Sequence, residues 1–292
     1  MKKAIVIALV LAFLLSGLMR TNVVSALALP TVSTPIAGPE VENFFHKQLD
    51  KNEYSGKFAP TITNYFGNQK IKWNFCGEMT LLNVLDIMSV QTNGKTSGMK
   101  VVDLVNKYFV DKNGKIVPDS PEDTGLVFYD GSGQMTPTSI YNMAETIGND
   151  TGLWTMELVY GVNTNTSIEP VRKSGLEAIV KKANEDVFEK GGVLIMHVGR
   201  RSGWNSADGE NVPIKWGTFD YFHFITVLSM RMNPDGSARM LIVDSLGSDG
   251  KGFVGWVNTE AYTTPGSLEK IPYDSSTFTG IKNIYGVIPK MP

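Results

Sequence analysis

YFHFITVLSMRMNPDGSARMLIVD, residues 221–244, decides the reading of the fold. Residues 221–230 and 239–243 are strongly apolar runs. Between them Asn233-Pro234-Asp235-Gly236 is a turn sequence, because proline presets one backbone angle and glycine accepts the positive φ that closes the turn. The stretch therefore predicts an antiparallel hairpin. VLIMHV (residues 193–198), FVGWV (253–257) and NIYGVI (283–288) predict three further strands. The chain before them has a helical period. CGEMTLLNVLDIMSV, residues 76–90, places Leu81, Leu82, Val84, Leu85 and Met88 on one broad apolar face, as a buried helix requires. Residues 99–109 repeat the pattern with Val102, Leu104, Val105 and Phe109. Thr136-Pro137-Thr138 can start a helix running to Ile147, and residues 174–189 form another, stopped by Gly191-Gly192. Helices first and strands later predict an α+β fold, an N-terminal helical part packed on a C-terminal antiparallel sheet.

Composition narrows the function. The 292 residues carry 27 Lys+Arg against 29 Asp+Glu, and 19 % are charged against 42 % hydrophobic. Neither a disordered chain nor a polybasic nucleic-acid binder has that balance. One cysteine and three histidines exclude a disulfide framework and a multi-thiolate metal centre, so no metal or organic cofactor is expected. Lys2 and Lys3 precede an unbroken apolar run over residues 4–15, and Ala26-Leu27-Ala28 has the small-x-small form of a signal-peptidase site. The run falls short of the about 20 residues that span a bilayer. Residues 1–28 therefore read as a cleavable signal peptide, with a retained anchor as the alternative. Its removal leaves 24 basic and 29 acidic residues, an exported, mildly acidic protein with no membrane association. Residues 29–55 read as a linker or N-terminal extension, since LPTVSTPIAGPE (29–40) is rich in Pro, Ser and Thr without an apolar period. A single domain follows over residues 56–292.

Cys76 is the one thiol, at the start of the first long helix, where unpaired N–H groups and the helix dipole favour a thiolate. Gly77 behind it lets the backbone approach a substrate closely. A small buried hydrophobe is the other reading of a lone cysteine. A thiolate enzyme needs a base and a group to orient it. His46, in an acidic and aromatic stretch, reads as a surface residue, and His197, inside an apolar strand, as a core histidine. His223 opens a strand at the end of the sheet and is the preferred base. Asp244 ends the next strand. Because 223 and 244 sum to an odd number, a hairpin loop with an even number of residues sets both side chains on one face, and an odd loop does not. Gln69, seven residues before Cys76, could donate to an oxyanion together with the Cys76 N–H, with Asn74 as a substitute.

These segments together, Gln69 with Phe75-Cys76-Gly77-Glu78, then His223-Phe224-Ile225-Thr226, then Val243-Asp244-Ser245, resemble the C39-like cysteine peptidases of the papain-like superfamily. The order of nucleophile, histidine and carboxylate agrees. Glu78, Phe222 and Ser245 stand where that family has proline, glycine and proline. The resemblance implies a papain-like fold over residues 56–292 and hydrolysis of peptide bonds in a peptide or protein substrate by Cys76, His223 and Asp244, with Gln69 at the oxyanion. The alternatives are an acyltransferase on the same triad and a non-catalytic extracellular protein that binds peptide or glycan. Segments 111–134 and 200–217 read as insertions, the second bringing Trp204 and Trp216 near a substrate cleft.

Overall fold

The hairpin forms, and its register explains how the strand ends meet. The computed structural model describes residues 38–54, 75–109, 137–160, 173–200, 221–247, 251–258 and 281–290. Residues 1–28, Gln69, Asn74, Trp204 and Trp216 lie outside them. Strands β3 (Tyr221–Met232) and β4 (Ala238–Asp244) pair antiparallel, beginning at Met232↔Ala238. The loop 233–237 therefore has an odd number of residues. Asn233 N–H donates to the Ser237 carbonyl, Ser237 Oγ donates to Asp235 Oδ1 at 2.7 Å, and Gly236 takes φ 84°. An odd loop alone would set residues 223 and 244 on opposite faces. A β-bulge between Val227 and Ser229 shifts the register by one, giving Thr226↔Val243. Continued in that register, His223 and Asp244 share a face.

The sheet has the order β1-β6-β2-β3-β4-β5, with β1 at Trp154–Tyr160, β2 at Val193–Arg200, β5 at Phe253–Asn258 and β6 at Ile281–Pro289. Every pairing between these strands is antiparallel. With the helices, this makes the protein α+β.

Strand β1 is absent from the sequence reading. Its burial along WTMELVY is irregular, so neither a clean alternation nor a continuous apolar run marks it. It pairs at the sheet edge with β6, and Trp154 is fully buried, its indole N–H donating to the Ala144 carbonyl at 2.9 Å.

Helices cover both faces of the sheet. Helix α1 (Gly38–Val41) is one short turn; α2 (Cys76–Asn93), α3 (Val101–Tyr108) and α4 (Pro137–Thr151) follow. Leu81, Leu82, Leu85 and Met88 of α2 pack with Leu104, Ile140 and Met143 against Val193, Ile195, Phe224, Val243 and Tyr285. Helix α5 (Lys173–Asp186) packs Leu176, Ile179, Val180 and Ala183 on the other cluster, with Leu194, Met196, Ile225 and Ile242. The alternation along β2 supplies both cores, Val193 and Ile195 to one and Leu194 and Met196 to the other. The helical part is thus not all on one side, because α5 occupies the face that α2–α4 leave uncovered.

Helix α2 is the centre of the first core, with thirteen of its residues buried. It stops at Gly94, whose φ of 70° and N–H bond to the Val90 carbonyl form a left-handed cap. Residues 38–54 form a packed extension: Val41 and Tyr54 belong to the same core, and Gln48 is fully buried. Among the described residues no helix is long and apolar enough to cross a membrane.

Candidate active site

Cys76 is the first residue of α2, partly buried, with the uncapped N-terminus of an 18-residue helix behind it. Phe75 at the N-cap position makes no side-chain hydrogen bond to the first turn. One turn later, Thr80 Oγ1 donates to the Phe224 carbonyl at 3.1 Å. That bond sets α2 against β3 one residue from His223.

His223 and Asp244 meet as the register requires. His223 Nε2 lies 2.6 Å from Asp244 Oδ1, and the same oxygen accepts the Leu246 N–H at 2.9 Å. Antiparallel pairing brings the start of β3 and the end of β4 to one end of the sheet. The end is closed: His223 is 2 % exposed and Asp244 0 %, not open to solvent as a strand end suggests. The Cys76 side chain lies close enough to the ring to favour its protonated form. With Nε2 committed to Asp244, Nδ1 is the nitrogen left for the sulfur.

Burial pulls the His223 pKa down, but the charge and hydrogen bond of Asp244 outweigh it and Cys76 adds to them, so it is pushed up to about 9. The imidazolium is therefore the favoured form at neutral pH. An imidazolium held by a carboxylate is a group that can deliver a proton to a leaving group.

The other histidines divide. His197 is a core residue, 4 % exposed and stacked on Phe224 with ring centroids 4.5 Å apart. His46 is not on the surface. Its Nδ1 lies 2.7 Å from Glu53 Oε1 and its Nε2 2.9 Å from Asp86 Oδ2, and its N–H donates to Asn83 Oδ1 at 2.6 Å. Asp86 also accepts from the Ser97 N–H and hydroxyl. Burial lowers the His46 pKa, but the hydrogen bonds and charges of Asp86 and Glu53 push it up to about 9. An acidic stretch reads as surface until a helix 37 residues on supplies the partner groups.

Glu78 was singled out in the sequence only as a departure from a family motif. It lies two residues after Cys76, fully buried, and among the described residues neither carboxyl oxygen has a hydrogen-bond partner. Burial holds its pKa well above the usual carboxylate range, with Cys76 adding to the shift. Its charge when ionised also bears on Tyr54, whose pKa burial raises. Among the described residues no group of three or more His, Cys, Asp and Glu could hold a metal ion. No model of a known protein family matches the chain, and no curated protein does.

Proposed function

We propose that the chain is an exported cysteine peptidase, a hydrolase of amide bonds that uses Cys76, His223 and Asp244 on a papain-like fold. The observation that carries this is the buried His223 ring, bound through Nε2 by Asp244, with Cys76 close enough to help raise its pKa. The chain order of cysteine, histidine and carboxylate supports the same reading, with the cysteine opening a helix packed on an antiparallel sheet. So does the motif resemblance to C39-like peptidases.

In this reading the Cys76 thiolate attacks the substrate carbonyl carbon and the carbon–oxygen double bond opens to an oxyanion. The Cys76 N–H at the helix start donates to that oxygen, and Gln69 is the second donor. The tetrahedral intermediate collapses as the C–N bond breaks, and His223 gives its proton to the departing amine. A water then loses a proton to His223 and attacks the thioester carbon. The C–S bond breaks, the carboxylic acid leaves, and the thiolate–imidazolium pair returns. Asp244 keeps the ring oriented throughout.

The test is alkylation and hydrolysis on one purified protein. Native Cys76 should react with iodoacetamide at neutral pH, and Cys76→Ala should abolish peptide hydrolysis while melting as cooperatively as wild type. Hydrolysis retained in Cys76→Ala removes the mechanism. A native thiol that reacts only after unfolding makes Cys76 a packing residue and leaves a binding protein.

A further inference from the structure

The triad draws on two parts of the chain that are far apart in sequence, and a third part ties them together. Asn83 and Asp86 lie on the helix that Cys76 begins, and both hold His46. Two residues on, the Gln48 N–H donates to the Ser245 carbonyl at 2.8 Å, and Ser245 Oγ donates to Gln48 Oε1 at 3.3 Å. Ser245 follows Asp244 directly, and Leu246 beyond it donates its N–H to the Asp244 carboxylate. The Gln48 carbonyl accepts the Tyr54 hydroxyl at 2.6 Å. The Tyr54 ring meets Phe75, the residue before Cys76, edge to face at 6.1 Å. Residues 46–54 thus touch the nucleophile's helix at both its start and its middle, and the carboxylate's turn between them. Gln48 is fully buried and Ser245 nearly so.

We propose that residues 46–54 are a positioning strap for the active site: His46 pins it to the cysteine helix, and Gln48, through Ser245, sets where Asp244 holds His223 relative to Cys76. This deepens the peptidase reading and rests on it. The physical warrant is tolerance. Acid–base groups work only when held to within about 0.5 Å of their productive geometry, by residues that are themselves fixed through packing and hydrogen bonds. Thr80 supplies one tie between α2 and β3. That tie fixes the helix against the histidine strand but not against the turn 244–246. The strap makes that second connection, through the Gln48 backbone and side chain to Ser245. Gln48 and Ser245 are therefore positioning residues.

The experiment compares Gln48→Ala, Ser245→Ala and Ser245→Thr with wild type, by peptide hydrolysis and by the pH dependence of iodoacetamide alkylation of Cys76. Both alanine variants should lower kcat about tenfold, since a small misplacement of a catalytic group costs that much or more. KM should stay within about twofold, because no binding contact is removed. The alkylation profile should shift along the pH axis in both, and Ser245→Thr, which keeps the hydroxyl, should restore rate and profile. Folded Gln48→Ala and Ser245→Ala proteins with wild-type kcat and wild-type alkylation overturn the strap. If Gln48→Ala does not fold, Ser245→Ala decides alone, because it deletes only one 3.3 Å hydrogen bond. The two readings fail separately. A protein that hydrolyses no peptide but shows the shifted alkylation profile refutes the peptidase and retains the strap.

Discussion

Replacing Asp244 separates its charge from its shape. Its Oδ1 accepts from His223 Nε2 and from the Leu246 N–H. Asp244→Asn keeps an oxygen acceptor for both donors and removes the charge, whereas Asp244→Ala removes both. The rise of the His223 pKa from 6.5 to about 9 corresponds to roughly 3 kcal/mol in favour of the imidazolium. Asp244 supplies the leading upward causes against burial. Without its charge the desolvated ring should lose its proton at least about one pH unit earlier. The alkaline limb of kcat/KM, near 9 in the wild type, should move down by that amount in Asp244→Asn. Asp244→Ala also strands two buried donors, each costing about 1–3 kcal/mol, which together are a large part of a domain's stability. Its kcat/KM should fall by tenfold or more, since positioned acid–base groups contribute about 10²–10⁴. The folding linkage has a definite sign. A histidine whose folded pKa is raised contributes stability fully below about 6.5, and that stability is lost as pH rises through about 9. The assays are kcat/KM against pH on one peptide and urea unfolding at pH 6 and 9.5. If both variants keep the wild-type rate and alkaline limb, Asp244 serves only to cap Leu246 and the triad lacks its third member.

Two further outcomes follow from the buried charges around α2. His46→Ala leaves Glu53 and Asp86 facing each other without the cation, and breaking such a buried pairing costs about 3–5 kcal/mol. Urea unfolding should give that loss at pH 6, and the difference from wild type should shrink as pH rises through about 9. A pH-independent difference would contradict the charged-ring account. Glu78→Gln should act in the opposite sense. Glu78 keeps its proton to higher pH when folded but ionises near 4.5 when unfolded, so rising pH draws the wild type toward the unfolded state. The variant lacks that slope, and its stability relative to wild type should grow as pH rises above about 5. Thermal melts of both proteins from pH 5 to 8 check it, and parallel curves would refute it.

Much of the architecture was legible because it is carried by local periodicity. The run 76–90 carries a broad apolar face at helical spacing, and the observed helix, Cys76–Asn93, begins where the reading begins it. The Asn-Pro-Asp-Gly turn encodes the β3–β4 hairpin within a few residues. Strand β1 escaped because its register is dictated by β6, which lies far along the chain. Cys76, His223 and Asp244 were read as candidates from residue type and position at element ends, and the His223–Asp244 pairing of that reading is observed. Gln69 lies outside the described residues. The partners of His46 and the isolation of Glu78 were not legible, since each depends on which distant surface covers the side chain.

The sequence by itself determined the helices, the hairpin, the α+β class and the three residues that could form a triad, because each follows from short-range pattern and side-chain chemistry. Whether His223 and Asp244 face each other was left to the tertiary structure. The odd loop 233–237 argued against it, and the bulge between Val227 and Ser229 restored the shared face. A bulge has no short sequence signature here: it arises where strand pairing on both sides and core packing demand one extra residue. The burial that makes His46 a clamp, Glu78 a weaker acid and His223 an imidazolium is likewise tertiary. Desolvation and charge pairing depend on everything within a few ångströms, most of it distant in the chain.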